Sequence, residues 1–231
     1  MNKGYIPEDK VFLALDCIIF GFDDEDLKVL LIQRDFEPEK GKWSLIGGFM
    51  KNKETLDDAA TRILYRLSGV HDIYMEQLYS FSEVNRDPVA RTVSTAYYAL
   101  INIEKHNEEL IEQYNAQWFS LKKNVPDLIF DHNEMLNKAI RRLRRRTSIN
   151  PIGFELLPEK FTMRQLQKLY EAILDKKLDK RNFVNKIHSM DVLLKLNEKD
   201  MTSSTKGSYL YMFDQEKYAA KRSNEFYLKL Y

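Results

Sequence analysis

The stretch from Gly47 to Val70 constrains the fold of this chain more than any other. Apolar residues fall at Leu56, Ala59, Ala60, Ile63, Leu64 and Leu67, which places them on one face of a helix between Glu54 and Leu67. The pair Gly47-Gly48 marks a backbone-permissive break before it, and Gly69 stands where a helix C-terminal stop is expected. The flanking sequence is not helical. Residues 11–20 and 27–33 are strand candidates joined by the acidic turn Asp23-Asp24-Glu25-Asp26. A short strand is expected at 43–45, and further ones at 77–81, 92–103 and 117–121. One amphipathic helix set among short strands predicts an α+β domain with a mixed sheet, sandwiched between helices.

Residues 133–146 return to helical spacing, with Met135, Leu136, Ala139, Ile140 and Leu143 apolar. Lys138, Arg141, Arg142, Arg144, Arg145 and Arg146 occupy the other faces; the arginine run suits either phosphate contact or packing at a domain junction. Residues 147–153, with Pro151, form the expected boundary, giving domains of 1–147 and 148–231. Beyond it, Thr162 followed by Gln165 is a capping-box start for a helix whose inner face is Leu166, Leu169, Tyr170 and Ile173. Asp179 is a good N-cap for a second helix, with Phe183, Val184 and Ile187 inward. Strands at 192–196 and 208–213 flank a polar, basic tip at 197–207. Helix, tight turn, helix and hairpin make a C-terminal winged helix-turn-helix.

Charge separates the two parts. Residues 1–131 carry 15 Lys and Arg against 23 Asp and Glu, whereas residues 132–231 carry 21 against 12. The basic half fits a polyanionic partner, although mutual attraction of the halves gives the same composition. The single cysteine, Cys17, lies in an apolar run and reads as a small buried hydrophobe, so no intramolecular disulfide forms. No apolar stretch is long enough for a membrane span, and residues 1–10 lack a signal-peptide core, so a cytoplasmic location is expected.

Residues 48–70 resemble the Nudix box of nucleoside-diphosphate-linked hydrolases. That pattern is a glycine, a glutamate six residues on, then Arg-Glu-apolar-x-Glu-Glu-x-Gly-apolar. Gly48, Glu54, Arg62, Leu64, Gly69 and Val70 stand at matching positions, but Ile63, Arg66 and Leu67 replace the three later glutamates. Those carboxylates hold a divalent cation in active members, and a hard cation needs their oxygens and charge. Isoleucine and leucine donate nothing, and at ~4 Å an arginine repels a cation by roughly 4 kcal/mol per charge unit. No catalytic residue, metal ion or cofactor is therefore expected. Glu54 and Arg62 are expected to remain as a structural ion pair.

The whole chain resembles the Nudix-related transcriptional regulators. The run FTMRQLQKLYEAIL from Phe161, with LDKRNF from Leu178, is similar to their winged-helix half, and EQLYSF from Glu76, with NRDP from Asn85, to their sensor half. Ile46 departs from the proline usual before the glycine pair. The resemblance implies a homodimer that binds a palindromic double-stranded operator and a small effector, ADP-ribose in some branches and a pentose in others. This chain looks nearer the arabinose-responsive branch, which implies a repressor of pentose use released by L-arabinose; an ADP-ribose sensor or an active ADP-ribose pyrophosphohydrolase is the alternative.

Asp16, Arg34, Trp43, Glu83 and Arg86 are the candidate effector contacts, since a sugar needs several donors and acceptors and an aromatic face. Asp16, mid-strand among apolar residues, serves equally well as a cap for a local backbone group. Arg181, Asn182, Asn185 and Lys186 are candidate base readers on the second helix of the turn. Thr162, Arg164, Lys180 and the tip residues Lys199, Ser203, Ser204, Thr205 and Lys206 suit phosphate or the minor groove.

Overall fold

The computed structural model describes residues 10–68, 73–105, 114–123, 125–202 and 206–221. Its first part is a seven-stranded mixed sheet among the described residues. The strands are β1 (Phe12–Phe22), β2 (Leu27–Gln33), β3 (Trp43–Ser44), β4 (Ile46–Phe49), β5 (Tyr74–Phe81), β6 (Thr92–Asn102) and β7 (Ala116–Ser120). Helix α1 (Leu56–Ser68) follows β4, and α2 (His132–Ile149) follows β7. The order runs β3-β2-β1-β6-β5, with β4 on β1 and β7 on β2; β1 and β6 pair in parallel and the other pairs are antiparallel.

Alternation along β1 decides what covers each face. Leu15, Cys17 and Ile19 point with Tyr97, Ala99 and Ile101 towards Ala59, Ala60, Ile63 and Leu64 of α1. Ile18, Phe20 and Phe22 point the other way, towards Met135, Leu136, Ala139 and Leu143 of α2. The central strands are buried on both faces because a helix lies on each. This second cluster runs unbroken into Leu166, Leu169, Tyr170, Ile173, Phe183 and Ile187 of the C-terminal part.

That part holds β8 (Phe161–Thr162), α3 (Met163–Leu174), α4 (Lys180–Met190), β9 (Leu193–Asp200), β10 (Ser208–Phe213) and α5 (Gln215–Lys221), with sheet order β8-β10-β9. Both expected caps form. The Thr162 hydroxyl accepts from the Gln165 N–H while the Gln165 side chain accepts from the Thr162 N–H, and Asp179 accepts from the Asn182 N–H at 2.8 Å.

Three local expectations are revised. Gly47-Gly48 is not a break but part of β4, where Gly47 lies opposite Asp16. Helix α2 continues to Ile149, so its last turn occupies the expected boundary. Strand β9 extends to Asp200, into the segment read as a tip. Gly69 and Val70 lie outside the described residues, as do Ser203, Ser204 and Thr205.

Candidate functional site

Helix α1 begins with a local cap: Thr55 Oγ1 accepts from the Asp58 N–H and the Asp58 carboxylate accepts from the Thr55 N–H. Beside it, Arg62 binds Glu54 through two hydrogen bonds, Nε to Oε2 at 2.9 Å and Nη2 to Oε1 at 2.6 Å, and reaches the Phe49 carbonyl at 3.1 Å. The Arg62 bonds, with the Lys51 N–H, hold the Glu54 carboxyl down to about 2. Ile63 is 1% exposed and sits under Gly48 in the apolar core, a burial worth roughly 1.5–3 kcal/mol. Arg66 is exposed, its guanidinium 5.6 Å from the Tyr114 ring, and the side chain of Leu67 lies outside the described residues. These residues do not fit a divalent cation: one carboxylate remains, and an arginine already occupies it.

A cavity of about 180 Å³ is lined by Asp16, Arg34, Phe36, Arg86, Phe130 and His132 among others. Asp16, Arg34 and Arg86 of the expected effector contacts thus come together. Trp43 and Glu83 do not line it. Trp43 packs edge-on against Phe119 at 4.7 Å, because β3 turns it into the core, and Glu83 is an exposed residue whose carbonyl receives the Arg86 N–H at 3.3 Å.

Asp16 is buried, and its Oδ2 accepts from Ser94 Oγ at 2.6 Å with Arg86 Nη2 at 3.7 Å. Arg86 itself is fixed by two bonds to Asp131, at 2.8 and 2.7 Å. His132, the first residue of α2, accepts at Nδ1 from the Leu45 N–H at 3.1 Å, so its proton sits on Nε2, 3.6 Å from Asp16 Oδ1. Burial depresses the His132 pKa more than Asp16 and Asp131 raise it, and the ring is neutral. His132, Ser94, Asp131 and Phe130 were not legible in the sequence; no spacing ties them to Asp16, and only the β1–β6 pairing and the start of α2 bring them there.

Because His132 is held neutral in the fold, stability falls as pH drops below the ordinary value of 6.5, where the unfolded chain takes up a proton that the folded chain refuses. The slope in that window is at most about 1.4 kcal/mol per pH unit. Thermal melts of the wild type and His132→Gln between pH 5 and 7.5 check this: the variant loses that part of the pH dependence.

A second cleft of about 680 Å³ lies between the sheet end at Tyr74 and Asn102 and the C-terminal part at Phe154 and Asp214. Its charged lining is Glu155, Glu159, Asp214 and Glu216, which disfavours an anionic ligand.

On the C-terminal part, Lys180, Arg181, Asn182 and Asn185 are exposed along α4, and Lys186 is half-buried. Opposite them, Phe183 and Ile187 anchor the helix in the core. Arg164 is exposed in the first turn of α3, and Lys206 at the hairpin. Lys199 is exposed too, its Nζ 3.4 Å from the Lys206 carbonyl. Thr162 is corrected: its side chain is buried and its hydroxyl closes the α3 cap, so it is not presented to a duplex.

The arginine run divides. Arg142 bonds Glu76 at 2.9 Å and Arg146 lies 3.4 Å from it, while Arg144 donates to the Ile173 carbonyl of α3 at 2.9 Å. Burial alone would raise the Glu76 pKa, but the Tyr98 and Tyr74 hydroxyls and the two arginines lower it. Arg141 and Arg145 stay exposed. The acidic turn also docks here: Gln165 Nε2 donates to Asp24 Oδ2 at 3.1 Å and Lys168 Nζ to the Asp24 carbonyl at 3.0 Å.

Comparison with known proteins supports both halves. Residues 12–143 match the NUDIX domain model and residues 153–213 the NrtR DNA-binding winged helix domain model. The chain is 31% identical over 209 residues to the "ADPR responsive transcriptional repressor NtrR" of Acinetobacter baylyi, covering 89% of this chain and 83% of that protein. It is 30% identical over 143 residues to the ADP-ribose pyrophosphatase of Methanocaldococcus jannaschii, covering 61% of this chain and 82% of that protein. The crystal structure of Shewanella oneidensis NrtR complexed with a 27mer DNA superposes with a TM-score of 0.81 at 27% identity, covering 90% of this chain and 95% of the other.

Proposed function

The chain belongs to the NrtR-like family of regulators, a NUDIX domain followed by an NrtR DNA-binding winged helix, and on that premise we propose that it is a transcriptional repressor released from its operator by ADP-ribose. The observation that carries this reading is the course of α2. Its first residue, His132, lines the cavity with Asp16, while Arg144 in its later turns bonds the Ile173 carbonyl of α3. A ligand that shifts the start of α2 therefore acts on the element that seats the winged helix.

ADP-ribose takes the place of the pentose expected from the sequence resemblance, because a relative matched over most of the chain is named for ADP-ribose. The cavity around Asp16, Arg34 and Arg86 is the effector site in this reading, since the larger cleft is acidic. Two copies of the chain bind a palindromic operator, each placing α4 in a major groove with Arg181, Asn182 and Asn185 at base edges. Release requires only that ADP-ribose bind better to an arrangement in which the two α4 helices no longer match the half-sites. Calorimetry with ADP-ribose and L-arabinose tests the effector: ADP-ribose binds and L-arabinose does not, and the reverse outcome returns the pentose reading.

The similarity to an ADP-ribose pyrophosphatase raises hydrolysis as a second reading. Ile63 and Arg66 argue against it, and the expected result is no release of AMP from ADP-ribose with magnesium. Turnover that disappears in Glu54→Gln would replace the regulator with an enzyme.

A further inference from the structure

We propose that Gln165 is a positioning residue: its carboxamide ties the cap of α3 to Asp24 of the β1–β2 turn and so fixes the angle at which the sensor part presents the winged helix to its operator. The proposal rests on the regulator reading above and adds a second point of attachment, at the opposite end of α3 from Arg144.

The chemistry of the Gln165 side chain supplies the first reason. Its Oε1 accepts from the Thr162 N–H at 2.9 Å and closes the cap. A cap needs only that acceptor, and a glutamate supplies it equally well. The amide Nε2 is surplus to the cap, and it donates across the junction to Asp24 Oδ2 at 3.1 Å. One turn on, Lys168 Nζ donates to the Asp24 carbonyl at 3.0 Å. All three residues are half-buried, so the contact is screened less than one in open solvent.

The build of the turn supplies the second. Asp23 accepts from the Glu25 and Asp26 N–H groups and pairs with Lys28, while Asp26 is held by Ser120 at 3.0 Å and Lys123 at 2.7 Å. Two carboxylates thus brace the turn, and that of Asp24 faces α3. Asp24 itself has a φ of 69°, a left-handed conformation uncommon for most L-residues, and in it both its carbonyl and its carboxylate meet the helix.

The course of the chain supplies the third. From Asp16 in the cavity, β1 runs about 20 Å to the turn, and from His132 in the cavity α2 runs about 18 Å to Arg144. Arg144 bonds the Ile173 carbonyl at 2.9 Å, and Asp175 lies 3.6 Å from both Arg144 and Lys122. Two elements that line the cavity therefore grip α3 at its two ends. Its Tyr170 ring packs on Phe183 of α4 at 5.4 Å, so what fixes α3 also fixes α4. Pre-organisation of this kind lowers the cost of ordering the winged helix on DNA.

Fluorescence anisotropy with a palindromic operator duplex, with and without saturating ADP-ribose, tests this on the wild type, Gln165→Glu and the double variant Asp24→Asn/Gln165→Glu. Glutamate keeps the cap but sets its carboxylate against that of Asp24; asparagine at position 24 returns a donor from the other side. Without ligand, Gln165→Glu binds the operator about three- to tenfold more weakly than the wild type, and the double variant returns to within about twofold. The factor by which ADP-ribose lowers operator affinity falls to less than about half in Gln165→Glu and is regained in the double variant. A Gln165→Glu protein that binds the operator as tightly as the wild type overturns the proposal. So does a double variant as weak as the single one, which puts the fault in the cap. A wild type indifferent to ADP-ribose removes the effector reading instead, and the affinities without ligand then decide the role of Gln165. A wild type that binds no duplex ends both.

Discussion

Replacing Arg181 with alanine lowers operator affinity by about 1–3 kcal/mol, or roughly five- to 150-fold, and relaxes selectivity at one base position. Arg181 is exposed on α4, and no hydrogen bond or ion pair among the described residues engages its side chain. Its guanidinium therefore has its full set of donors to offer a guanine edge. The helix beneath it is rigidly seated by Phe183 and Ile187 and capped by Asp179, so the substitution leaves the fold alone. Lys180→Ala behaves differently. Its ammonium suits a phosphate, so affinity falls evenly across sequences and the salt dependence flattens by about one ion. Fluorescence anisotropy with operator and scrambled duplexes across a salt series separates the two, while the ADP-ribose affinity of both variants stays that of the wild type.

Gly47→Ala destabilises the protein by about 3 kcal/mol or more, a drop of roughly 6–12 °C in Tm. Gly47 lies opposite Asp16 where β4 pairs with β1. A Cβ there falls 2.5 Å from Asp16 Oδ1 and 2.7 Å from the Leu15 carbonyl, and the second of these is backbone that cannot rotate away. Either β4 leaves the sheet or Asp16 leaves the cavity, and effector binding is lost with stability. Gly48→Ala is the control one residue on, because its Cβ meets only the Ile63 side chain at an ordinary 3.5 Å. Its melt shifts by less than a third as much. Equal shifts for the two variants contradict the close-approach account of Gly47.

Features written in adjacent residues were legible before the fold was known. The α1 face from Leu56 to Leu64, the Thr162–Gln165 box and the Asp179 cap are all set within one or two helical turns, and all three form. Features made by distant residues were not. Asp16 meets Ser94 across a parallel strand pair and His132 at the start of a later helix, and local spacing carries no trace of either meeting. Trp43 looked like a wall for a sugar, yet its strand turns it onto Phe119. Thr162 looked like a phosphate contact, yet the same hydroxyl is spent on the cap that identified the helix. The glycine pair read as a break because glycine permits turns; here it permits two strands and a buried carboxylate to lie close.

The effector posed a different problem. A pentose and ADP-ribose both present ribose-like hydroxyls to a polar cavity, so residue types alone do not separate them, and the names of the matched relatives weigh towards ADP-ribose. In the proposed reading the coupling between cavity and winged helix runs through α2, and the acidic turn that Gln165 and Lys168 hold is a second contact between the two parts. Linkage makes that coupling reciprocal: whatever factor the ligand takes from operator affinity, the operator takes from ligand affinity.

Operator affinity by anisotropy at one fixed salt concentration, with and without saturating ADP-ribose, tests that coupling most directly. A fall of at least tenfold with ADP-ribose, and none with L-arabinose, is the predicted result. An operator complex equally tight with ADP-ribose present contradicts the reading of this chain as a ligand-released repressor.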